Sequence, residues 1–279
     1  MRRRWRGIDV TELRSPDGAC AMISDHGAHV LSWRPASESP RELLFLSDAS
    51  GFGGGVAIRG GVPIIFPQFG GRGSGGRHGF ARTATWRHTF TGLEQGGAVA
   101  RYQLSDADLG ESSWGYRFEL EYEVAVRGSE MQLTLTVTNT DSRAWEFSAA
   151  LHTYLQVKEV AAIELRGLRG LSFVDQTENG RCEIQHDELL QIAGEVDRIY
   201  ADIADPLQLD DHGRRLEVTQ TSFADLVVWN PGPEKAAALS DLTAGAYANF
   251  ICVEAAAVLQ PIALAPGSSW QGQQILLEG

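Results

Sequence analysis

The 279-residue sequence has few cysteines and no long apolar run. Its three cysteines, Cys20, Cys182 and Cys252, are far apart and form no C-x-x-C pair, so neither a disulfide framework nor a zinc site is expected. No span of about 18 apolar residues occurs, and the basic residues 1–7 are not followed by the apolar run of a signal peptide. We therefore expect a cytoplasmic protein that is neither exported nor embedded in a membrane.

Positive charge is in the minority, with 24 Lys and Arg against 36 Asp and Glu and a net charge of −12. This excludes the broad basic surface on which nucleic-acid binding depends. A small anion could still bind at a local cluster of cations. The stretch 58–86 offers one, because Arg59, Arg77, His78 and Arg82 lie among glycines and prolines that rule out a long helix and place these side chains on loops.

Helical periodicity is nearly absent, apart from one or two turns around 233–239 and a short candidate at 188–192. Two runs, 118–126 and 131–139, alternate apolar and polar side chains and are joined by Arg-Gly-Ser-Glu, which is typical of an antiparallel hairpin. Further strands are predicted at 20–33 with a turn at 25–27, 43–46, 85–91, 99–104, 146–154, 163–165, 171–174, 216–219, 226–229, 249–254 and 274–277. Many short strands predict an all-β sandwich or barrel, with residues 1–279 as a single domain.

Common catalytic templates are also missing. The sequence has no G-x-S-x-G nucleophile elbow, no Walker loop, no H-E-x-x-H and no Rossmann fingerprint. His26 and His29 are three positions apart beside a strand, which places them on opposite faces without a third carboxylate ligand. A metal site is therefore not expected.

One strand presents a histidine beside small residues. Strand geometry over 146–154 places Ser148, Ala150, His152 and Tyr154 on one face. The small residues leave room for a ligand next to the imidazole. A core histidine hydrogen-bonded to the backbone is an equally good interpretation of this strand alone.

Two carboxylates are candidates for the same site. Glu254 shares a strand face with Phe250 and Cys252, so it lies either at an exposed strand end or buried with partners, because an unpaired buried charge is costly. The strand alone favours the exposed end. Asp197 could accept hydrogen bonds from sugar hydroxyls, or it could lie in a turn or pair with Arg198.

The cations of the stretch 58–86 have two interpretations. Arg59 and Arg82 could each be an ordinary surface cation, but together with His78 they favour an anion site, since guanidinium groups match phosphate or carboxylate oxygens with paired donors. Arg77 could join them, and an exposed loop position is equally consistent.

Ordered blocks from residue 58 to the end carry a family resemblance. They are Ile-Arg-Gly-Gly-Val-Pro at 58–63, Phe-Pro-Gln-Phe-Gly at 66–70, His-Gly-Phe-Ala-Arg at 78–82, Leu-His-Thr-Tyr at 151–154, Gly-Glu-Val-Asp at 194–197, Val-Val-Trp-Asn-Pro at 227–231 and Ile-Cys-Val-Glu-Ala at 251–255. The chain resembles the hexose-6-phosphate mutarotase branch of the aldose 1-epimerase family.

The resemblance implies a galactose-mutarotase-like antiparallel β-sandwich, or supersandwich. It also implies that His152 is the catalytic acid and Glu254 the catalytic base. These residue types suit the two roles, since a glutamate is ionised near pH 7 and a histidine titrates close to it, so that modest tuning of each pKa would suffice. The substrate would be a small molecule, a hexose 6-phosphate. The residues that bind it would be Arg59, Arg77, His78, Arg82 and Asp197. Neither a metal nor an organic cofactor is expected, and we expect a monomer.

Three other functions remain open from the sequence. An aldose 1-epimerase of unphosphorylated hexoses would gain nothing from a phosphate group. A carbohydrate-binding module would use the arginines and Asp197 only to hold its ligand. A glycoside hydrolase is less favoured, because it normally needs two cooperating carboxylates.

Overall fold

The computed structural model describes residues 1–38, 40–73, 75–110 and 114–279, and strands dominate this part of the chain. The first strands in chain order are β1 (Arg2–Trp5), β2 (Ile8–Arg14), β3 (Cys20–Ser24), β4 (Val30–Arg34), β5 (Ile64–Ile65), β6 (Arg87–Glu94), β7 (Gly97–Ser105), β8 (Phe118–Arg127), β9 (Glu130–Asn139) and β10 (Trp145–Leu151). They are followed by β11 (Tyr154–Gln156), β12 (Glu164–Arg166), β13 (Ser172–Asp175), β14 (Arg181–Ile184), β15 (Val196–Tyr200), β16 (Leu207–Asp211), β17 (Arg214–Thr221), β18 (Asp225–Asn230), β19 (Phe250–Leu264) and β20 (Ser269–Glu278). Helical segments are α1 (Gly232–Ala237) and 3-10 turns at Asp106–Leu109, Val160–Ala162 and Ala246–Asn249.

The strands form three antiparallel sheets. Strands β1 to β4 make a four-stranded sheet in chain order. The sheet named here the back sheet has the order β12-β16-β17-β20-β9-β8-β7-β6. The sheet named here the site sheet has the order β14-β13-β15-β18-β19-β10-β5, and β11 pairs with β19 beside this path.

The core lies between the back sheet and the site sheet. In β8, Leu120, Tyr122 and Val124 are buried while the residues between them are partly exposed, because successive side chains of a strand point to opposite faces. These side chains belong to one apolar cluster with Ile251 and Val253 of β19. The predicted all-β antiparallel sandwich is confirmed.

Both faces of the site sheet are covered along β19. Residues 250–258 are buried without interruption, since Phe250 and Cys252 pack against Tyr154 on the face opposite the core. The strand also continues to Leu264, beyond the predicted end at 254. Glu254 therefore lies in the strand interior, and the expectation of an exposed strand end is wrong.

Several local predictions can be compared directly with the structure. The hairpin of β8 and β9 and the short helix near 233–239 are confirmed. Residues 43–46 form isolated bridges from Leu44 and Leu46 and no strand, and 188–192 contains a bridge at Leu190 in place of a helix. The strand predicted over 146–154 is divided, since β10 ends at Leu151 and β11 begins at Tyr154.

Candidate active site

Strand register places His152 opposite Glu254. The pairs Leu151↔Ala255 and Tyr154↔Cys252 are in one common register, so the residues between them, His152 and Glu254, face each other across the two strands. Directly opposite side chains on neighbouring antiparallel strands have Cβ atoms about 5 Å apart and point to the same face. Residues distant in sequence are thus adjacent in the sheet.

The backbone around His152 is held from both sides. Its amide donates to the Pro63 carbonyl oxygen at 3.0 Å, and the Val253 amide donates to the Thr153 carbonyl oxygen at 3.0 Å. The Thr153 hydroxyl donates to Gln274 Oε1 of the back sheet at 2.6 Å, in a buried contact. Because Thr153 points toward the core, His152 is directed to the opposite face, where the imidazole has a fixed position.

The imidazole and the carboxylate approach closely. His152 Nδ1 lies 3.2 Å from Glu254 Oε1, and the two side chains are 9% and 1% exposed. The approach lacks hydrogen-bond alignment, and within the described part of the chain neither His152 Nδ1 nor Glu254 Oε2 has a hydrogen-bond partner. The ring therefore meets a carboxylate at Nδ1, which does not fit a core histidine bonded to the backbone.

Burial shifts both groups away from their ordinary pKa values. It lowers the pKa of His152 well below 6.5, and the nearby charges of Arg59 and Arg82 act in the same direction. It raises the pKa of Glu254 well above 4.5, an effect that the Asp197 carboxylate reinforces. Both shifts are larger than the modest tuning expected from the sequence, because desolvation disfavours each charged form.

A cavity of about 820 Å³ opens above this pair. Its walls include every residue that the sequence predicts for the site: Arg59, Arg77, His78, Arg82, His152, Asp197 and Glu254. The volume is within the usual range of ligand pockets. The structure thus brings these residues together, while their roles remain predictions.

Arg59 is fixed by two partners. Its Nε and Nη2 lie 3.2 and 3.0 Å from Asp241 Oδ2, and its Nη1 donates to the Tyr154 hydroxyl at 3.0 Å. No other residue type fits at the two glycines that follow it. Gly60 and Gly61 have φ of 114° and 60°, and a Cβ on them would lie 2.4 and 2.2 Å from backbone carbonyl oxygens. The Gly61 carbonyl oxygen accepts from the Tyr154 amide at 2.9 Å, which ties this loop to β11.

Arg82 is a partly buried cation that lacks such pairing in the described part of the chain. Its Nη2 donates to the Arg77 carbonyl oxygen at 2.9 Å, and among the residues that the structure describes its Nε is buried with no hydrogen-bond partner. Burial lowers the pKa of Arg82 from its usual high value. Since the buried Nε lacks an acceptor, this guanidinium is suited to an anionic ligand.

His78 lies between the arginines and the imidazole of His152. The Gly70 amide donates to His78 Nδ1 at 3.2 Å, and the centroids of the His78 and His152 rings are 5.8 Å apart. Burial and the neighbouring arginines lower the pKa of His78 to about 3. It is therefore a neutral imidazole at physiological pH. Gln68 bonds both the amide and the carbonyl of Gly75 and so supports the loop that carries Arg77.

Asp197 reaches the cavity from β15. Tyr154, Cys252, Trp229 and Asp197 are paired in turn across β11, β19, β18 and β15, a row about 14 Å wide at the usual strand spacing. Burial raises the pKa of Asp197 to about 6. Asp197 thus lies in a strand and not in a turn, and Arg198 pairs with Asp175 instead.

Four further residues line the site or hold it and are absent from the predicted set. Trp229 lies edge-on to His152 with ring centroids 5.8 Å apart, and Lys235 of α1 pairs with Glu195 at the cavity wall. Tyr154 and Asp241 orient Arg59, as described above. Tyr154 and Trp229 occur within the recognised sequence blocks, whereas no sequence signal points to Asp241 or Lys235.

One group of side chains has donor atoms suited to a metal ion. A nitrogen of His152, the sulfur of Cys252 and a carboxylate oxygen of Glu254 lie within 4.8 Å of one another, and all three residues are buried.

In the described residues, no helix has the length and apolar character needed to cross a membrane.

The architecture defines a class of protein first. The crystal structure of a galactose mutarotase related enzyme from Lactobacillus acidophilus superimposes with a TM-score of 0.76 over 96% of this chain and 97% of that chain, at 14% identity. The fold is therefore that of the galactose-mutarotase-like sandwiches. The family model described as Aldose 1-epimerase matches residues 9–277, so the chain belongs to the aldose 1-epimerase family and is an isomerase.

More similar relatives carry a narrower name. A Cenchrus ciliaris protein named "Putative glucose-6-phosphate 1-epimerase" is 34% identical over 277 residues, which is 96% of this chain and 84% of the relative. An Escherichia coli K12 protein of the same name is 31% identical over 91% of this chain and 85% of its own length. The Salmonella typhimurium structure titled "putative mutarotase (YeaD)" gives a TM-score of 0.90 at 27% identity, covering 100% of this chain and 92% of that chain.

Proposed function

We propose that the protein is a hexose-6-phosphate mutarotase that interconverts the α and β anomers of glucose 6-phosphate. The observation that carries this proposal is the pairing of His152 with Glu254 at 3.2 Å beneath a cavity lined by Arg59, Arg77 and Arg82. The relatives named for glucose 6-phosphate, at 31 and 34% identity, support the substrate class.

The reaction needs one base and one acid. In the proposed ring opening, the Glu254 carboxylate removes the proton of the anomeric hydroxyl while the His152 imidazolium protonates the ring oxygen. The bond between C1 and the ring oxygen breaks and a C1 aldehyde forms. Rotation about C1–C2 presents the other face of the aldehyde, and the reverse proton transfers close the ring. Each residue regains its original protonation state, and no bond other than C1–O5 is broken in the sugar skeleton.

The pair can reach the reactive state without changing its net charge. Burial favours protonated Glu254 beside neutral His152. Transfer of one proton from Glu254 to His152 gives the carboxylate and the imidazolium that the mechanism requires. The two protonation states of the pair contain the same number of protons. His152 Nδ1 and Glu254 Oε1, between which the proton moves, lie 3.2 Å apart. A phosphorylated sugar in the cavity would add negative charge, which favours the imidazolium.

The arginines account for the phosphate. The Nε of Arg82 is buried and unpartnered in the described part of the chain, and a phosphate would supply the missing acceptor through charge-assisted hydrogen bonds. Arg59 and Arg77 would add charge from the same wall, and Asp197 would accept from sugar hydroxyls. All seven proposed residues come from one chain, so we expect an active monomer. Its free cysteine thiols fit a reducing cytoplasm.

Equilibration of anomers tests the proposal. Freshly dissolved α-glucose 6-phosphate and α-glucose are followed by NMR or polarimetry with and without the full-length protein, and the spontaneous rate is subtracted. We expect faster equilibration of the phosphate ester. A larger acceleration of plain glucose would favour the aldose 1-epimerase of free sugars. No acceleration of either sugar, with binding retained, would favour a carbohydrate-binding module.

A further inference from the structure

Cys252 is a buried thiol next to the proposed catalytic pair, and the proposed chemistry does not use it. It lies two residues before Glu254 on the same face of β19, and it is paired across the sheet with Tyr154 on one side and Trp229 on the other. Its sulfur, a nitrogen of His152 and an oxygen of Glu254 lie within 4.8 Å of one another. Three different donor types therefore lie close together at the base of the cavity.

The donor set is one that binds zinc. Thiolate, imidazole and carboxylate are the usual ligands of Zn²⁺, and sites with three protein ligands leave a fourth position for water or another molecule. Softer thiolate ligands also select Zn²⁺ over Mg²⁺ or Ca²⁺. Of the candidate ligand atoms, His152 Nδ1 and Glu254 Oε2 are buried and make no hydrogen bond within the described residues. They are free to turn toward an ion.

The distances require only small movements. Bonds of about 2.0 Å from zinc to nitrogen and about 2.3 Å to sulfur set donor separations of roughly 3.5 Å in a tetrahedral site. The 3.2 Å between His152 Nδ1 and Glu254 Oε1 is already close to this value. The largest separation in the group is at most 4.8 Å, which a side-chain rotation can shorten.

The charges around the three side chains both oppose and favour the binding of a cation. The guanidinium groups of Arg59 and Arg82 oppose a cation, although the Asp241 carboxylate beside Arg59 offsets part of this charge. Burial raises the pKa of the Cys252 thiol well above its ordinary value, so an incoming ion must displace the thiol proton. Coordination supplies the compensation, because an ion bound to Cys252 and Glu254 turns both into anions, and binding releases protons.

We propose that His152, Cys252 and Glu254 form a binding site for a thiophilic divalent ion such as Zn²⁺, and that an ion bound there inhibits the enzyme. The binding part stands on the three side chains alone. The inhibition part rests on the proposed function, since the ion would occupy the acid and the base and prevent proton transfer. Two of its ligands, His152 and Glu254, line the cavity that would admit the sugar, so ion and substrate would exclude each other.

Cobalt provides a direct spectroscopic test on the full-length protein. We expect Co²⁺ titration to produce a near-ultraviolet thiolate-to-cobalt absorption band that saturates at one ion per chain and is displaced by Zn²⁺. Cys252→Ser should abolish the band. Cys182→Ser is the matched control, because Cys182 is exposed on β14, and it should keep the band. A band that survives Cys252→Ser in a folded protein, or no band in the wild type, overturns the proposal.

A second measurement covers the case in which Cys252→Ser does not fold, as judged by circular dichroism. X-ray absorption of the zinc-loaded wild type should contain one sulfur neighbour at about 2.3 Å together with nitrogen or oxygen neighbours. A zinc environment of nitrogen and oxygen alone would place the ion elsewhere and reject the site.

Inhibition is measured separately in the anomer assay. Stoichiometric Zn²⁺ should remove most of the activity, a chelator should restore it, and Mg²⁺ at the same concentration should have no effect. Zinc bound at Cys252 without loss of activity would reject the inhibitory part. If the protein accelerates no anomerisation at all, the proposed function fails while the cobalt result still decides the ion site.

Discussion

His152 and Tyr154 lie with their rings parallel, 4.8 Å apart between centroids and 7° between planes. The Tyr154 hydroxyl accepts a hydrogen bond from Arg59 Nη1 at 3.0 Å. Tyr154 therefore connects the proposed acid with a proposed substrate-binding cation, supporting the imidazole with its ring and the guanidinium with its oxygen.

Tyr154→Phe separates these two contributions. The ring remains to support His152, but Arg59 loses an acceptor whose net worth is about 1 kcal/mol. We expect KM for glucose 6-phosphate to rise roughly three- to tenfold, with little change in kcat. Steady-state kinetics on both anomers measure the two parameters. A large loss of kcat at unchanged KM would show that the hydroxyl takes part in proton transfer.

His152→Ala and Glu254→Gln test the acid and the base. Each should lower kcat by roughly a hundredfold or more, the scale of general acid or base catalysis. Glu254→Gln is nearly isosteric, so it also reports whether the site needs a proton-accepting oxygen rather than only a polar group. Thermal unfolding of both variants controls for misfolding, and full turnover by either folded variant would contradict the assigned roles.

Arg82→Ala tests the phosphate assignment. Loss of charge-assisted hydrogen bonds, each worth about 1.5 to 3 kcal/mol, should raise KM for glucose 6-phosphate by tenfold or more. Activity on free glucose should change much less. Arg166→Ala is the matched control, because Arg166 lies on β12 of the back sheet, away from the cavity. Equal losses on both sugars after Arg82→Ala would argue against a phosphate contact.

The pH profile should depend on Asp197. With its pKa raised by burial to about 6, Asp197 is ionised above that pH and becomes protonated below it. Protonation removes an acceptor for sugar hydroxyls, so kcat/KM should fall as the pH drops through 6. The substrate phosphate also titrates near pH 6, and Asp197→Asn provides the comparison. The variant should have lower kcat/KM and a flatter profile between pH 5 and 7; an unchanged profile shape would assign the fall to another group.

Acid should destabilise the fold through a buried histidine outside the cavity walls. Burial lowers the pKa of His29 to about 3, and its Nε2 lies 2.7 Å from the Gly60 carbonyl oxygen. Between pH 6.5 and 3 the unfolded chain binds a proton at His29 that the folded chain does not. Stability therefore falls as the pH falls through this window, by about 2 kcal/mol between pH 7 and 5 for this one residue.

His29→Gln keeps an amide donor for Gly60 and removes the titrating group. Urea unfolding at pH 7 and pH 5 gives the loss of stability for each protein. We expect the wild type to lose about 2 kcal/mol more than the variant over this interval, because all other titrating groups are shared. Equal losses would show that His29 binds the same number of protons in both states.

The sequence predicts the strands best where one face of the sheet is exposed to solvent and the other is buried. In β8 and β9 the alternation is visible for the whole strand. In β19 both faces are buried, so the apolar run has no period and only its first residues are predictable. β1 consists largely of arginine, and β15 is a short strand at residues for which the sequence leaves a turn as one alternative. Tertiary pairing, which no local pattern contains, determines these strands.

Less of the candidate site than of the fold can be predicted from the sequence. Periodicity places His152 and Glu254 on strand faces but contains nothing about the register between β11 and β19, and for Glu254 it favours the wrong environment. Residue types alone group the four cations of the stretch 58–86, and only the resemblance to a family joins His152, Asp197 and Glu254 to them. The pKa shifts of His152 and Glu254 follow from burial, which depends on the completed sheet and so could not be read from residue type.

The hydrogen bond from Thr153 to Gln274 joins the site sheet to the back sheet. The orientation of His152 toward the cavity therefore depends on the packing of the two sheets. Slipping β11 by one residue along β19 would turn His152 toward the core and Thr153 toward the cavity. No local hairpin can unite positions 152 and 254, so the reactive pair exists only after the distant strands have closed on each other. A nascent or partly unfolded chain would therefore have no active pair, and recovery of turnover after dilution from denaturant would report the completion of both large sheets.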